Sequence, residues 1–297
     1  IFGDDTLKIY HKSIMVDKVL EFLNIQPGKI FVDCTLGEGG HSFEILKACK
    51  GKCTVIGIDA DPEIIEVARE RLKDYPNFIA VNRRFSDLNE ILRELKIEKV
   101  DGFLFDLGIS SYHLDRPDRG FSFRFDAPLD MRMDRNGELT AEYVVNRYSK
   151  KDLERILREY GEEPFAKRIA NSIIKNRPIK TTKELVEVIS KVYPRKYKNS
   201  RIHFATRTFM AIRIEVNREL QELQKALLKS LDFLNQGGRI VVITFHSLED
   251  RIVKRFFKEN EGKGLKILTK KPLYPNEEEI FENPRARSAK LRAAEKE

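Results

Sequence analysis

Asp33-Cys34-Thr35-Leu36-Gly37-Glu38-Gly39-Gly40-His41 is the stretch of this chain whose residue types come closest to a small-molecule cradle. Glycines let a backbone approach a ligand closely, and a helix beginning near His41 would offer free N–H groups. Three further residues fit the same purpose. Asp59 lies about 20 residues past the glycines, where an acid accepts hydrogen bonds from ribose hydroxyls. Phe85 offers a ring that could cover an adenine, and Asp106 closes another apolar run. Each also has a plainer reading: a tight turn, a cap for Asp61-Pro62, a core phenylalanine and a cap for the next turn.

Spacing separates the candidate cofactors. A dinucleotide fingerprint needs Gly-x-Gly-x-x-Gly, and counting from Gly37 its last glycine is replaced by Ser42. Glu38 would repel a pyrophosphate. Asp33, Glu38 and Asp59 instead suit a cofactor that is cationic at sulfur and carries no phosphate, which points to S-adenosylmethionine. No Cys/His cluster has metal-ligand spacing, so no metal is expected.

The elements that must position these residues alternate in type. Lys29 to Asp33, Thr54 to Asp59, Phe78 to Val81 and Val100 to Asp106 read as buried strands. Between the second and third, Asp61 caps a helix, Pro62 suits its first turn, and Ile64, Ile65, Ala68 and Leu72 form its apolar stripe. Such alternation implies βαβ units and a parallel sheet. Ligands of such sheets bind outside the carboxyl ends of the strands, so all four features converge on one crevice.

The alternation then breaks until Arg239 to Phe245, a far longer interval than a crossover needs. Ser149 with Asp152 and Thr181 with Glu184 resemble capping boxes, and Gly161 can stop the helix after the first of them. These signals predict an inserted all-helical subdomain over 113–203, with core segments at 1–112 and 204–297. One long helix is expected to carry Val216, Leu220, Leu223, Leu227, Leu231 and Leu234 on one face and to end at Gly237-Gly238. A further helix is expected from Leu248 to Lys258, and late edge strands near 265–268 and 289–292. No internal repeat or low-complexity linker is evident.

Composition sets the outer limits. At 41% hydrophobic the 297-residue chain can bury a core. The excess of 55 Lys+Arg over 47 Asp+Glu, a net +8, favours a polyanionic partner, although high charge content also suits growth at high temperature. No apolar run approaches the ~20 residues of a membrane span. The start, Ile1-Phe2-Gly3-Asp4-Asp5, lacks the basic and apolar regions of a signal peptide. Cys34, Cys49 and Cys53 read as buried reduced thiols, implying a cytoplasmic protein.

Several long motifs, in order, resemble the bacterial ribosomal RNA small-subunit methyltransferase H (MraW/RsmH) family across nearly the whole chain. They are His11-Lys12-Ser13, Asp33 to His41, Asp106-Leu107-Gly108-Ile109-Ser110-Ser111 and Arg119-Gly120-Phe121-Ser122-Phe123. Next come Pro128-Leu129-Asp130-Met131-Arg132-Met133-Asp134, Ala205-Thr206-Arg207-Thr208-Phe209 and Thr244 to Arg251, and the last is Asn283 to Arg292. The resemblance implies an α/β, Rossmann-like class I S-adenosylmethionine-dependent methyltransferase sheet with a helical insertion. It implies methylation of N4 of a cytosine in the decoding region of 16S rRNA, with the small ribosomal subunit as partner. Cofactor contacts carried over by position fall on Gly39, Gly40, His41, Asp59, Phe85 and Asp106. Another falls on His113, where many members have Gln.

Asp106 is the candidate for positioning the reacting amine, although the chain lacks the Pro-Pro-aromatic motif common to amino-methyltransferases. His246 is read as a base or, in preference, as a residue shaping the loop before Leu248. His11 is read as ordering the N-terminal segment. Arg195, Lys196, Lys198 and Arg201, interleaved with Tyr197, suit phosphate contact and base stacking, and Arg207 extends the charge. A solvated basic face is the plainer reading. A methyltransferase for another amine, a nicotinamide-dependent oxidoreductase and a catalytically silent RNA-binding assembly factor are the alternatives. The oligomeric state stays open, a homodimer included.

Overall fold

A computed structural model describes residues 10–297; the start read for a leader lies outside them. The chain forms two compact units, one from the residues up to Gly108 together with Leu223–Glu297, the other from Ile109–Glu222.

The first unit is built on strands β1 (Ile30–Asp33), β2 (Thr54–Asp59), β3 (Phe78–Asn82), β4 (Val100–Asp106), β5 (Leu234–Thr244), β6 (Leu265–Ile267) and β7 (Lys290–Lys296). They form one sheet in the order β3-β2-β1-β4-β5-β7-β6. β1 to β5 pair in parallel, and β7 pairs antiparallel with both β5 and β6. The parallel part, β1 to β5, is what the alternation predicts, and the sheet as a whole is of the Rossmann-like kind that the resemblance implies. The tail strands differ in one respect: β6 is the edge, whereas β7 is interior, inserted beside β5.

Alternation along the strands explains why both faces must be covered. Phe31, Val55, Leu104 and Val241 are buried in one apolar cluster, and their neighbours Val32, Ile56, Phe103 and Val242 in another. Parallel strands with two apolar faces require helices on each. On the first face lie α1 (Val16–Leu23), α2 (Gly40–Ala48) and α3 (Pro62–Arg71), the last capped by Asp61, whose carboxylate accepts from Glu63 N. α4 (Leu88–Glu94) packs on the second through Leu88, Ile91 and Leu92.

The second unit contains α5 (Ser111–Asp115), α6 (Ala141–Arg147), α7 (Lys150–Glu159), α8 (Ala166–Lys175), α9 (Thr182–Ser190), α10 (Arg195–Lys198) and α11 (Thr206–Asn217). The Ser149 and Thr181 hydroxyls accept from Asp152 N and Glu184 N, so both predicted helix starts lie at caps. Leu153, Ile156, Ile169, Ile189 and Phe209 meet in a core separate from those of the sheet. The motif around Met131 is braced by Asn217, which donates to Met131 O and accepts from Met133 N. Gly120, at φ 68, is where a Cβ would stand 2.2 Å from Pro128 O.

The boundaries of this unit differ from the expected 113–203, because α11 belongs to it. Phe209, Ala211, Ile212 and Val216 join its core instead of the sheet's. The long helix of the sequence reading is two helices, α11 and α12 (Glu219–Phe233), separated by Arg218 in the left-handed region at φ 49. Leu234 already belongs to β5. Gly237-Gly238 does not end a helix; it lies in an irregularity where the β4–β5 register shifts, with Gly237 at φ 78.

After β5 the chain forms α13 (Ser247–Asn260) and α14 (Glu277–Glu282). Leu223, Ala226 and Leu227 of α12 and Val253, Phe256 and Phe257 of α13 complete the second face of the sheet. Cys49 and Cys53 lie side by side, and all three cysteines are buried.

Candidate active site

The strand order reverses between β1 and β4, and in open α/β sheets such a switch point opens a crevice at the carboxyl ends. Asp33 and Asp106 end those two strands. From β1 the chain crosses the strand ends by short steps: Cys34 N donates to Leu104 O at 2.9 Å and Leu36 N to Ile58 O at 3.0 Å. Gly37 N then donates to Asp59 Oδ2 at 3.0 Å. Gly39, at φ 82, turns the chain into α2, and at Gly40 a Cβ would stand 1.9 Å from Ser13 Oγ. The glycines therefore serve the loop's close approach to its own neighbours as well as to any ligand.

Asp59 is partly exposed. Its Oδ1 accepts from Asp61 N at 2.9 Å, so it both braces the loop and starts α3. Phe85 follows β3 and sits edge-on to Phe105 with ring centroids 5.7 Å apart; its packing against the sheet core agrees with the plainer reading.

His41, in the first turn of α2, is buried. Its Nε2 is 2.8 Å from Ile14 O, and its Nδ1 is 3.5 Å from Asp106 Oδ2. A carbonyl only accepts, so Nε2 carries a proton and Nδ1 faces the carboxylate. Asp106 is fixed from three directions: its N donates to Thr35 Oγ1 at 2.7 Å, its Oδ1 accepts from Gly108 N at 3.3 Å, and His41 faces Oδ2. Asp33, fully buried, accepts from Ser42 Oγ at 2.7 Å and from Thr35 N at 3.3 Å.

Burial pushes the Asp106 carboxyl above its ordinary range, while His41 and the Gly108 amide pull it partway back. Asp33 is raised for the same first reason, with His41 and Ser42 opposing. Asp106 keeps a side-chain exposure of 22%, enough to meet a substrate group. The structure thus places Gly39, Gly40, His41, Asp59 and Asp106 around the carboxyl ends of β1, β2 and β4, whereas Phe85, in the same unit, packs against Phe105 and the sheet core. Thr35 and Ser42, which hold the two acids, were absent from the sequence-derived set. Their only signal was position beside Asp33 and His41.

His113 belongs to the second unit, buried with its ring 4.9 Å from that of Phe121. In the same unit Arg195, Lys196, Lys198 and Arg201 are exposed, with Lys196 over the Tyr197 ring at 5.0 Å. Arg207 differs from these four: it is partly buried and donates to Glu162 O at 2.8 Å.

His246 caps α13, its Nδ1 accepting from Glu249 N at 3.4 Å, which places it in the loop-shaping role. His11 lies 2.9 Å from the Glu38 carboxylate, tying the segment before α1 to the glycine loop. Among the described residues no group of three His, Cys, Asp or Glu is placed to hold a metal, and no helix is long and apolar enough to cross a membrane.

Residues 8–297 match the MraW methylase family. Over 290 residues the chain is 52% identical to the ribosomal RNA small subunit methyltransferase H of Kosmotoga olearia, covering 96% of this chain and 97% of that one. Its counterpart in Thermotoga neapolitana is 51% identical over 290 residues, covering 96% of each chain. Among solved structures, an rRNA methylase from Streptococcus thermophilus is similar with a TM-score of 0.45 and 12% identity, covering 97% of this chain and 99% of that one.

Proposed function

This chain belongs to the MraW methylase family of S-adenosylmethionine-dependent rRNA methyltransferases, and from that membership we propose that it methylates N4 of a cytosine in the decoding region of 16S rRNA. The observation that carries the reading to particular atoms is the cluster of Asp33, His41 and Asp106 at the switch point, beneath an acid-lined glycine loop. A phosphate-bearing cofactor would meet Glu38 and the buried Asp33 there. A cationic sulfonium is the charge those acids favour.

Gly39, Gly40 and His41 at the start of α2, Asp59, Phe85 and Asp106 would hold the cofactor, with Asp59 taking ribose hydroxyls and Phe85 lying against the adenine. By its position in the family, His113 is a further proposed cofactor contact. The cofactor, when bound, would supply a methyl carbon for in-line attack by an amine, with the sulfur leaving as a neutral thioether. The chain's part is alignment and proton handling.

The N4 lone pair of cytosine is delocalised into the ring and is a poor nucleophile. Asp106 accepts a hydrogen bond from the amine, turning its lone pair toward the methyl group. As the N–C bond forms, the nitrogen becomes acidic, and its proton passes to Asp106 Oδ2. His41 Nδ1, 3.5 Å away, steadies that oxygen. A carboxyl raised by burial is better matched to this task than an ordinary one. The exposed Arg195, Lys196, Lys198 and Arg201, with Arg207 beside them, engage RNA phosphate, and a cytosine in folded rRNA must leave its stack to be reached.

The test is transfer of labelled methyl from S-adenosylmethionine to free 16S rRNA or assembled small subunits. Transfer by the wild type, abolished in Asp106→Ala, is the expected result. Full turnover by that variant would remove Asp106 from the reaction, and label on a protein amine with none on RNA would overturn the substrate.

A further inference from the structure

The charges of α13 are unevenly disposed around its axis. Its two early acids turn inward: Glu249 accepts from Phe245 N, and Asp250 is held by Arg292 at 2.7 and 3.0 Å and by Thr244 at 3.3 Å. Its apolar residues Val253, Phe256 and Phe257 are buried against the sheet. What remains outside is a stripe of exposed cations, Arg251, Lys254, Arg255 and Lys258. They line a surface concavity in which Glu259 is the sole acid.

An ordinary solvated helix face mixes its signs. α3 pairs Glu66 with Arg69, and α7 pairs Glu154 with Arg158. On α13 the neighbours three and four residues apart along the stripe are other cations, an arrangement that destabilises a helix. Lys254, Arg255 and Lys258 form no ion pair among the described residues. Only Lys258 lies in the last turn, where the helix dipole favours a cation. The stripe is therefore a local cost that a polyanion would offset.

Its position narrows the choice of polyanion. α13 starts at the carboxyl end of β5, and β5 pairs with β4 so that Ile243 stands opposite Asp106. The stripe sets out from the crevice end of the sheet and runs roughly 10 Å along the second face. A helix that rests on an anionic membrane needs a free apolar face beside its cations; the apolar face of α13 is buried. We propose that this stripe is a second RNA-binding surface, carried by the methyltransferase unit itself, which holds the phosphate backbone of the substrate strand that enters the crevice. The inference rests on the RNA-substrate reading above.

The experiment titrates the full chain with protein-free 16S rRNA at several salt concentrations, comparing wild type with K254E/R255E/K258E and K254Q/R255Q/K258Q. Each phosphate contact adds about 0.7–0.9 to the slope of log affinity against log salt. The Glu variant is expected to bind at least about tenfold more weakly at low salt, with the slope reduced by roughly 2, and the Gln variant to fall between. Methylation should show a raised KM for RNA, unchanged kcat at saturation and unchanged affinity for S-adenosylmethionine. Should the Glu variant lose cofactor affinity, the Gln variant decides the matter by the same slope. Wild-type RNA affinity and slope in both variants would overturn the stripe while leaving the substrate reading intact. Wild-type protein that binds no RNA would overturn both. Loss of binding to phosphatidylserine vesicles with RNA affinity unchanged would assign the stripe to a membrane and overturn the proposal.

Discussion

At the scale of single residues the account turns on Asp106. Its carboxyl is raised by burial, with His41 and Gly108 opposing, so the folded protein holds that proton more tightly than the unfolded chain does. The associated stability is present at low pH and is lost as pH rises through the raised value. Asp106→Asn should therefore become more stable relative to wild type as pH rises through that window, measured by urea unfolding across pH. Activity has the opposite dependence: methyl transfer should rise with pH as Asp106 loses its proton, along an acid limb above the ordinary carboxylate range. Parallel pH dependence of stability in wild type and Asn variant would show that Asp106 is not the titrating group. Much of this site was legible in the sequence, because strand-end acids and a glycine loop are local patterns. Thr35 was not, because its role depends on Asp106 N, which lies 71 residues away along the chain and meets it only when β1 and β4 pair.

At the scale of elements, α13 shows how the crevice is anchored. Asp250 holds Arg292 of β7 by two hydrogen bonds, with Lys290 at 3.9 Å, and so ties the helix to the sheet. Burial would raise the Asp250 carboxyl, but Arg292 outweighs it and holds the group below the usual range. Its stabilising effect is present above the ordinary carboxylate pKa and is lost as pH falls through the depressed one. Asp250→Ala leaves Arg292 buried without its carboxylate and should cost about 3 kcal/mol, read from chemical unfolding at neutral pH. A loss below about 0.5 kcal/mol would mean the pair is solvated. Helix starts were legible from caps such as Asp61, Ser149 and Thr181, since a capping side chain sits next to what it caps. The end of α11 was not. The apolar spacing from Val216 to Leu234 continues across Arg218, and periodicity cannot see a backbone turning left-handed. Likewise Gly237-Gly238 has the composition of a helix stop, yet it serves a strand irregularity that only the β4–β5 register reveals.

At the scale of the whole molecule the chain combines a sheet unit that bears the proposed chemistry with a helical unit inserted after β4. The existence of the insertion was legible because strand signals vanish for an interval no crossover requires. Its limits were not, since α11 is amphipathic whichever core it joins, and its choice of Phe209, Ala211 and Ile212 contacts is tertiary. The exposed cations of this unit predict a division of labour. Charge reversal at Arg195, Lys196 and Lys198 should weaken RNA binding and reduce its salt dependence while sparing affinity for S-adenosylmethionine; equal RNA affinity would return the patch to a solvated face. The central claim, that this crevice methylates the exocyclic amine of a cytosine, is tested most directly by the identity of the product. After turnover on small subunits, the 16S rRNA is digested and its methylated nucleoside identified and located by mass spectrometry. The account predicts N4-methylcytidine at one decoding-region position. A methyl group on cytosine C5, on another base or outside the decoding region would contradict it.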